Sequence, residues 1–250
     1  MFINIITITK NYNEGFIRTL DSVRCQQRNH EIEIRHIICN GDPDDLEFKS
    51  LSESFRGNEF LISNEDTGIY NAMNKGLSKV IDGWIIFLNA GDILEDEFVI
   101  KKLAKYLSKN RSKIIQAKSV YPNGQILPRK KYHWFDLYFG FEMHVHPSLI
   151  FHTSSIEKVT YDESYNIAAD FKLAIQLIQR FKFNFIDLVV SRFEGGGISS
   201  RNQSDTIEEM NRVRFETKPK FMPIKMIEIW NVWVSYRTLA LSKRGRNDLK

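Results

Sequence analysis

The chain has 250 residues, of which 42% are apolar and 26% charged, a composition that excludes a disordered tail, a collagen-like repeat or a coiled rod and suits one large α/β domain. Its longest apolar run, Trp84 to Leu88, is far short of the roughly 20 residues of a membrane-spanning helix, and MFINIITITKN lacks the marks of a secretion signal, so a cytoplasmic location is expected. The net charge of +4 is unevenly spread: residues 218–250 carry eight Lys or Arg against Glu228 and Asp248, so the basic balance lies in that segment and no nucleic-acid-binding face is expected on the rest.

Cys25 and Cys39 are too few and too isolated for a disulfide framework or a thiolate zinc site and are expected to be buried thiols. In chain order, four short β-rich runs are predicted over Phe2–Thr9, Glu33–Cys39, Phe60–Ser63 and Trp84–Leu88, each ending at polar or Gly-containing residues. Helical periodicity falls between them. Glu14–Gln27 aligns Phe16, Leu20 and Val23, and Ile69–Val80 aligns Ile69, Met73, Leu77 and Val80, with Asp66 or Thr67 as the expected cap. This alternation predicts βαβ units around a parallel sheet.

The second half reads as a mixed-sheet extension. A hairpin turn is predicted at Pro122-Asn123-Gly124, a strand over Pro147–Phe151, a helix over Ala168–Arg180, a strand over Asn184–Val190 and a loop at Gly195-Gly196-Gly197. The last segment, Ile224–Leu241, has helical period and contains Trp230 and Trp233.

Ligands of open α/β sheets bind beyond the carboxyl ends of the strands, so the polar segments there hold the candidate site residues. They are Thr9-Lys10-Asn11, Asn40-Gly41-Asp42, Asn64-Glu65-Asp66 and Asn89-Ala90-Gly91-Asp92. Neither the Gly-rich dinucleotide fingerprint nor a P-loop is present, which argues against a Rossmann-type dinucleotide enzyme and a P-loop NTPase. Asp92, with small neighbours, suits a hard cation bridging a diphosphate, since Mg²⁺ or Mn²⁺ takes few protein ligands and completes its shell with phosphate oxygens and water. Taken alone, Asp66 reads equally well as a helix cap and Asp92 as a turn residue. His144 and His146 lack a third ligand at a zinc spacing.

The runs Asp66-Thr67-Gly68-Ile69-Tyr70-Asn71-Ala72-Met73-Asn74-Lys75-Gly76 and Trp84-Ile85-Ile86-Phe87-Leu88-Asn89-Ala90-Gly91-Asp92 resemble motifs of the bacterial family 2 glycosyltransferases of GT-A fold. Thr7-Ile8-Thr9-Lys10-Asn11, His146-Pro147-Ser148, Ile167-Ala168-Ala169-Asp170-Phe171 and Gly196-Gly197-Ile198-Ser199 continue the resemblance over about residues 2–200. It implies an α/β GT-A fold: a Rossmann-like, mostly parallel sheet flanked by helices, with a smaller mixed-sheet acceptor half and a C-terminal helical tail. Residues 1–217 would form one domain, 1–92 the nucleotide-sugar half and 93–217 the acceptor half, followed by a basic aromatic segment over 218–250.

The resemblance further implies transfer of a sugar from a nucleotide-diphosphate donor to a hydroxyl of a glycan or lipid-linked acceptor, with inversion. Asp170 falls at the catalytic base, at the start of a predicted helix. Asp92 falls at the ligand of Mn²⁺ or Mg²⁺. Thr9, Asn11, Asn40, Asp66, Asn74, Lys75, Asn89 and Gly91 fall on the donor side, and His146 and Gly196 near the acceptor or phosphate. Asn40 stands where many members have Asp, and Asn89 and Gly91 leave the metal motif a single acid. Those losses support the alternative of a sugar-nucleotide-binding protein without turnover. A nucleotidylyltransferase would need a Gly-rich basic loop that residues 9–15 lack. In the tail, Ile227, Trp230, Val234 and Leu241 form one apolar side beside Lys218, Lys220, Lys225, Arg237, Lys243, Arg244 and Arg246, as expected of a helix lying peripherally on an anionic inner membrane face. Packing on the main domain or in a homodimer is the competing expectation.

Overall fold

The computed structural model describes residues 1–27, 30–131, 133–139, 146–156, 160–195 and 202–232. Isoleucines crowd Phe2–Thr9 (β1), which pairs in parallel with Glu33–Asn40 (β2) on one side and Trp84–Phe87 (β4) on the other. β2 in turn pairs in parallel with Glu59–Ser63 (β3). Because both faces of β1 are covered, Ile3, Ile5, Ile6 and Ile8 are all buried, Ile3 and Ile5 in one core and Ile6 and Ile8 in another. The helices supplying these layers are Glu14–Arg24 (α1), Leu46–Ser52 (α2), Ile69–Leu77 (α3) and Val99–Leu107 (α4). Phe16, Leu20 and Val23 of α1 are buried as their spacing predicts.

Beyond β4 the sheet becomes mixed. Leu149–His152 (β8) runs antiparallel to β4 and to Ile114–Val120 (β6), while Phe183–Arg192 (β9) pairs in parallel with β6. Ile93–Leu94 (β5) pairs with β9, and Ile126–Leu127 (β7) closes the hairpin on β6, where Gly124 adopts a φ of 78°. Along the path the order is β3-β2-β1-β4-β8-β6-β9-β5. Trp134–Tyr138 (α5), Ala169–Arg180 (α6) and Gln203–Glu216 (α7) cover the second half.

The structure corrects several expectations. Cys39 is buried, and burial pushes its thiol up to about 12, but Cys25 at the end of α1 is exposed. The N-cap of α3 is Gly68, without a side-chain bond; Asp66 instead accepts from the Gly68 amide at 3.2 Å and shapes the turn before it. In the tail, residues 224–232 are helical, but Ile227 is buried and Trp230 lies edge-on against Phe139, 5.0 Å between ring centres. The apolar side facing water is formed by Phe221, Ile224, Met226, Ile229 and Val232. Trp233, Val234, Arg237, Leu241, Lys243, Arg244 and Arg246 lie outside the described residues, as do His144 and Gly196. Among the described residues no helix is long and apolar enough to cross a membrane.

One buried polar chain ties β2, β1 and the segment that follows β4. Thr7 Oγ1 donates to the Leu88 carbonyl at 2.8 Å, so its proton is spent and the imidazole of His36 donates from Nε2 to the same oxygen at 2.9 Å. His36 Nδ1 then carries a lone pair with no partner among the described residues. A second ring proton would sit there unsolvated, and burial lowers the His36 pKa from 6.5 to about 4. In the unfolded chain the ring protonates near its ordinary value, so stability is complete above about pH 6.5 and is lost as pH falls toward 4. Chemical denaturation should show a loss of about 1 kcal/mol between pH 7 and 5.5 and about 3 kcal/mol by pH 4 from this group, and His36→Gln should flatten the upper part of that curve.

Candidate active site

The strand order reverses between β2 and β4 on either side of β1, which makes the carboxyl ends of β1 and β4 the switch point where an α/β sheet opens a crevice. The two chains leave the sheet together: the Leu88 and Ala90 amides donate to the carbonyls of Ile6 and Ile8 at 2.9 and 3.1 Å. Asn89-Ala90-Gly91-Asp92 then turns sharply, and Gly91 takes a φ of 103°, accessible to glycine at little cost.

Thr19 of α1 holds this turn. Its hydroxyl accepts from the Gly91 amide at 2.9 Å and donates to the Asp92 carbonyl at 2.7 Å. Asp92 is buried, its Oδ1 accepts the Glu194 amide at 3.0 Å, and its Oδ2 has no partner among the described residues. Burial, with the nearby charge of Glu194, raises the Asp92 pKa to about 7. Asn89 Oδ1 is likewise buried and unpartnered. Two orphaned oxygens on one four-residue loop, one from a carboxylate without a cation beside it, fit Mn²⁺ or Mg²⁺, whose preferred ligands are oxygens. No cluster of three or more His, Cys, Asp or Glu suited to a metal occurs among the described residues.

Asp170 stands in the first turn of α6. The Tyr70 hydroxyl lies 3.3 Å from its Oδ1, and Tyr70 stacks on Tyr161 with ring centres 5.7 Å apart. Tyr161 OH meets His146 Nε2 at 2.7 Å, and the His146 ring stacks on Phe87 at the end of β4. Burial lowers the pKa of His146 and raises those of Tyr70 and Tyr161, so this wall is neutral around the Asp170 carboxylate. Burial, with the charges of Asp92 and Asp170, pushes the hydroxyl of Tyr121, just after β6, up to about 12.

Glu209 was not legible as a site residue. From α7 its carboxylate accepts the amides of Asn166, Ile167 and Ala168 at 2.8, 2.8 and 2.9 Å, supplying the cap that Ala168 cannot give α6. It sits some forty residues from the helix it caps, and only the folded chain shows the pairing.

The donor-side residues divide into two groups. Asp66 nests over Gly41, where a Cβ would lie 2.1 Å from Asp66 Oδ2, and Lys75 reaches the Glu65 carbonyl at 2.5 Å. Thr9 ends β1, Asn11 follows it, and Asn89 and Gly91 lie in the turn after β4, so these residues share the carboxyl-end side of the sheet. Asn40 instead exchanges both ends of its amide with Asp42, at 2.6 and 3.2 Å. Asn74 bonds the Tyr161 carbonyl, the Tyr161 amide and Glu163 at 2.9, 2.9 and 2.7 Å and so fastens α3 to the loop ahead of α6.

This sheet order with its switch point is that of a GT-A fold. S. aureus TarS 1–349 in complex with UDP-GlcNAc superposes with a TM-score of 0.72 at 14% identity, covering 92% of this chain and 70% of that one. The mannosyltransferase PcManGT of Pyrobaculum calidifontis, in complex with GDP-Man and Mn²⁺, gives 0.64 at 12% identity, covering 91% and 67%. An uncharacterized glycosyltransferase of Mycobacterium tuberculosis H37Rv is 32% identical over 106 residues, 42% of this chain and 40% of that protein's length. The glycosyl transferase family 2 model matches residues 4–169, and the chain belongs to that family.

If Thr19 holds the Asn89–Asp92 turn, Thr19→Val, which keeps the shape and removes the hydroxyl, strands the buried Gly91 amide at a cost of about 1–3 kcal/mol. Thermal melting should fall by several degrees in Thr19→Val and stay near the parent value in Thr19→Ser; equal melting of the two variants would disprove the role.

Proposed function

We propose that the protein is a metal-dependent inverting glycosyltransferase that moves a sugar from a nucleotide-diphosphate donor to a hydroxyl of a glycan or lipid-linked acceptor in surface polysaccharide synthesis. The observation that carries this is the buried Asp92 carboxylate at the sheet's switch point, whose Oδ2 has no partner among the described residues, together with Asp170 in the first turn of α6. Asp92 and Asn89 would hold Mn²⁺ or Mg²⁺, which when bound neutralises charge developing on the leaving diphosphate. Asp170 accepts the proton of the acceptor hydroxyl as that oxygen attacks the anomeric carbon from the face opposite the diphosphate. The aromatic wall of Tyr70, Tyr161 and His146 keeps water from the reacting carbon. Thr9, Asn11, Asp66 and Lys75 lie on the side of the nucleotide, and Asn40 and Asn74 shape the loops that border it. Both carboxylates being present favours turnover over a binding protein of the same fold.

A thermal-shift screen of UDP, GDP and dTDP sugars with Mn²⁺ identifies the donor, because a ligand that binds only the folded state raises the melting temperature. With that donor, Asp170→Asn should lower turnover by roughly two to four decades and leave donor affinity nearly unchanged. Residual activity within a fewfold of the parent, or donor affinity falling in step, would remove Asp170 from the role of base.

The tail supports a second part of the reading, contact with an anionic membrane on which a lipid-linked acceptor lies. Phe221, Ile229 and Val232 are 79%, 71% and 71% exposed, beside Lys218, Lys220 and Lys225. Large exposed apolar side chains among cations suit an interfacial helix, each basic residue adding about 1 kcal/mol near such a surface. The full chain should pellet with anionic vesicles at low salt, and Phe221→Ser with Ile229→Ser should abolish pelleting without lowering the melting temperature. No pelleting of the parent chain would leave this face to a protein contact.

A further inference from the structure

Glu194 is the second residue after β9, and its side chain does something unusual for an exposed glutamate. While its amide donates to Asp92 Oδ1 at 3.0 Å, its carboxylate folds back over Gly91. A Cβ added to Gly91 would lie 1.8 Å from Glu194 Oε2 and 2.8 Å from its Cδ. The carboxylate therefore occupies the volume that a side chain at position 91 would take. Its other oxygen, Oε1, is paired with Arg18 of α1, and both side chains are about half exposed.

We propose that Glu194 is a second carboxylate ligand of the divalent cation held by Asp92, supplied by the end of β9 into the room that Gly91 leaves, with Arg18 as its counter-ion when no cation is bound. The proposal rests on Asp92 as the metal-holding residue. Two observations support it. Asp92 Oδ2 is buried without a partner, next to the oxygen that the Glu194 backbone already fixes. The Asn89–Asp92 loop carries a single carboxylate, and a carboxylate from another part of the chain would add a second oxygen ligand of the kind a divalent cation prefers. Arg18 and the cation compete for the same carboxylate. Binding exchanges a guanidinium that is half in water for an ion with a stronger preference for carboxylate oxygen, and the arginine returns to solvent.

The competition makes the two partners distinguishable. Full-length protein is titrated with Mn²⁺, alone and with inorganic diphosphate, and free aqueous Mn²⁺ is read by electron paramagnetic resonance, with circular dichroism confirming that each variant is folded. Glu194→Gln should weaken Mn²⁺ binding by about tenfold or more, an effect that persists at about 0.5 M KCl, where long-range attraction between exposed charges is screened. Arg18→Gln should bind Mn²⁺ as tightly as the parent or more tightly. If Glu194→Gln binds as the parent does, or if both variants weaken binding alike, Glu194 and Arg18 are only a surface ion pair and the proposal fails. Asp92→Asn separates the two readings: with binding lost there but kept in Glu194→Gln, only the Glu194 assignment falls, whereas unchanged binding in Asp92→Asn overturns the metal site itself.

Discussion

A carboxylate kept out of water at the end of β4 is the constraint around which the first half of the molecule is arranged. An isolated buried charge is expensive, and the chain reduces the cost by fixing a hydrogen bond to Asp92 Oδ1 from the Glu194 amide, while Oδ2 has no partner among the described residues. The Asn89–Asp92 turn must then be rigid, because an oxygen free to rotate would find water or a backbone donor. Rigidity comes from the parallel pairing of β1 with β4, from the positive φ of Gly91 and from the Thr19 hydroxyl, three features contributed by three elements distant in sequence. α1 therefore does more than cover the sheet: it brings Thr19 beneath the turn and Arg18 beside Glu194.

The second half solves a different problem, that of presenting Asp170 at a helix start with no side-chain cap of its own. Glu209 supplies the missing acceptor from α7, and Arg214, buried on the same helix, donates to the Tyr138 carbonyl at 2.7 Å and so joins α7 to α5. Burial lowers the Arg214 pKa to about 10, a measure of how far this guanidinium has been taken from water to hold the helices together. Asn74 and Asn71 complete the connection by bonding Glu163 from α3, which ties the loop before α6 to the strand-end side. The loop ahead of α6 is thus joined to α3 by side-chain bridges and not by the sheet alone.

The parallel half was legible because period and punctuation agree there: β1 begins and ends where its Ile-rich run does, and α1 buries the stripe its spacing predicts. Helix ends were placed less well, since the predicted helices run to Gln27 and Val80 while the helical residues end at Arg24 and Leu77. The site was legible as motif positions at strand ends, but burial was not. Nothing in Asn89-Ala90-Gly91-Asp92 says that two of its oxygens lack partners, and Asn74 reads as a crevice residue until its three bonds to residues 161 and 163 are seen. His36 reads as one more residue of a strand, yet it is the group through which pH acts most directly on the parallel sheet. In the tail, helical spacing alone could not say which apolar side faces the core, and Ile227 with Trp230 took the inner one.

In the proposed site Glu194 offsets the single acid of the Asn89–Asp92 loop. The volume left open by glycine at position 91 is filled by the Glu194 carboxylate, which follows β9. Geometry favours such an exchange where antiparallel β5 follows the loop directly and pairs with β9, because the register Ile93 with Arg192 and Leu94 with Ser191 brings Glu194 back over Gly91 with no further ordering of the chain. A side chain at position 91 would have to share that space with Glu194 and would in addition demand a positive φ that only glycine takes easily. Glycine at 91 and glutamate at 194 are thus physically coupled, and a change at one position constrains what the other can be.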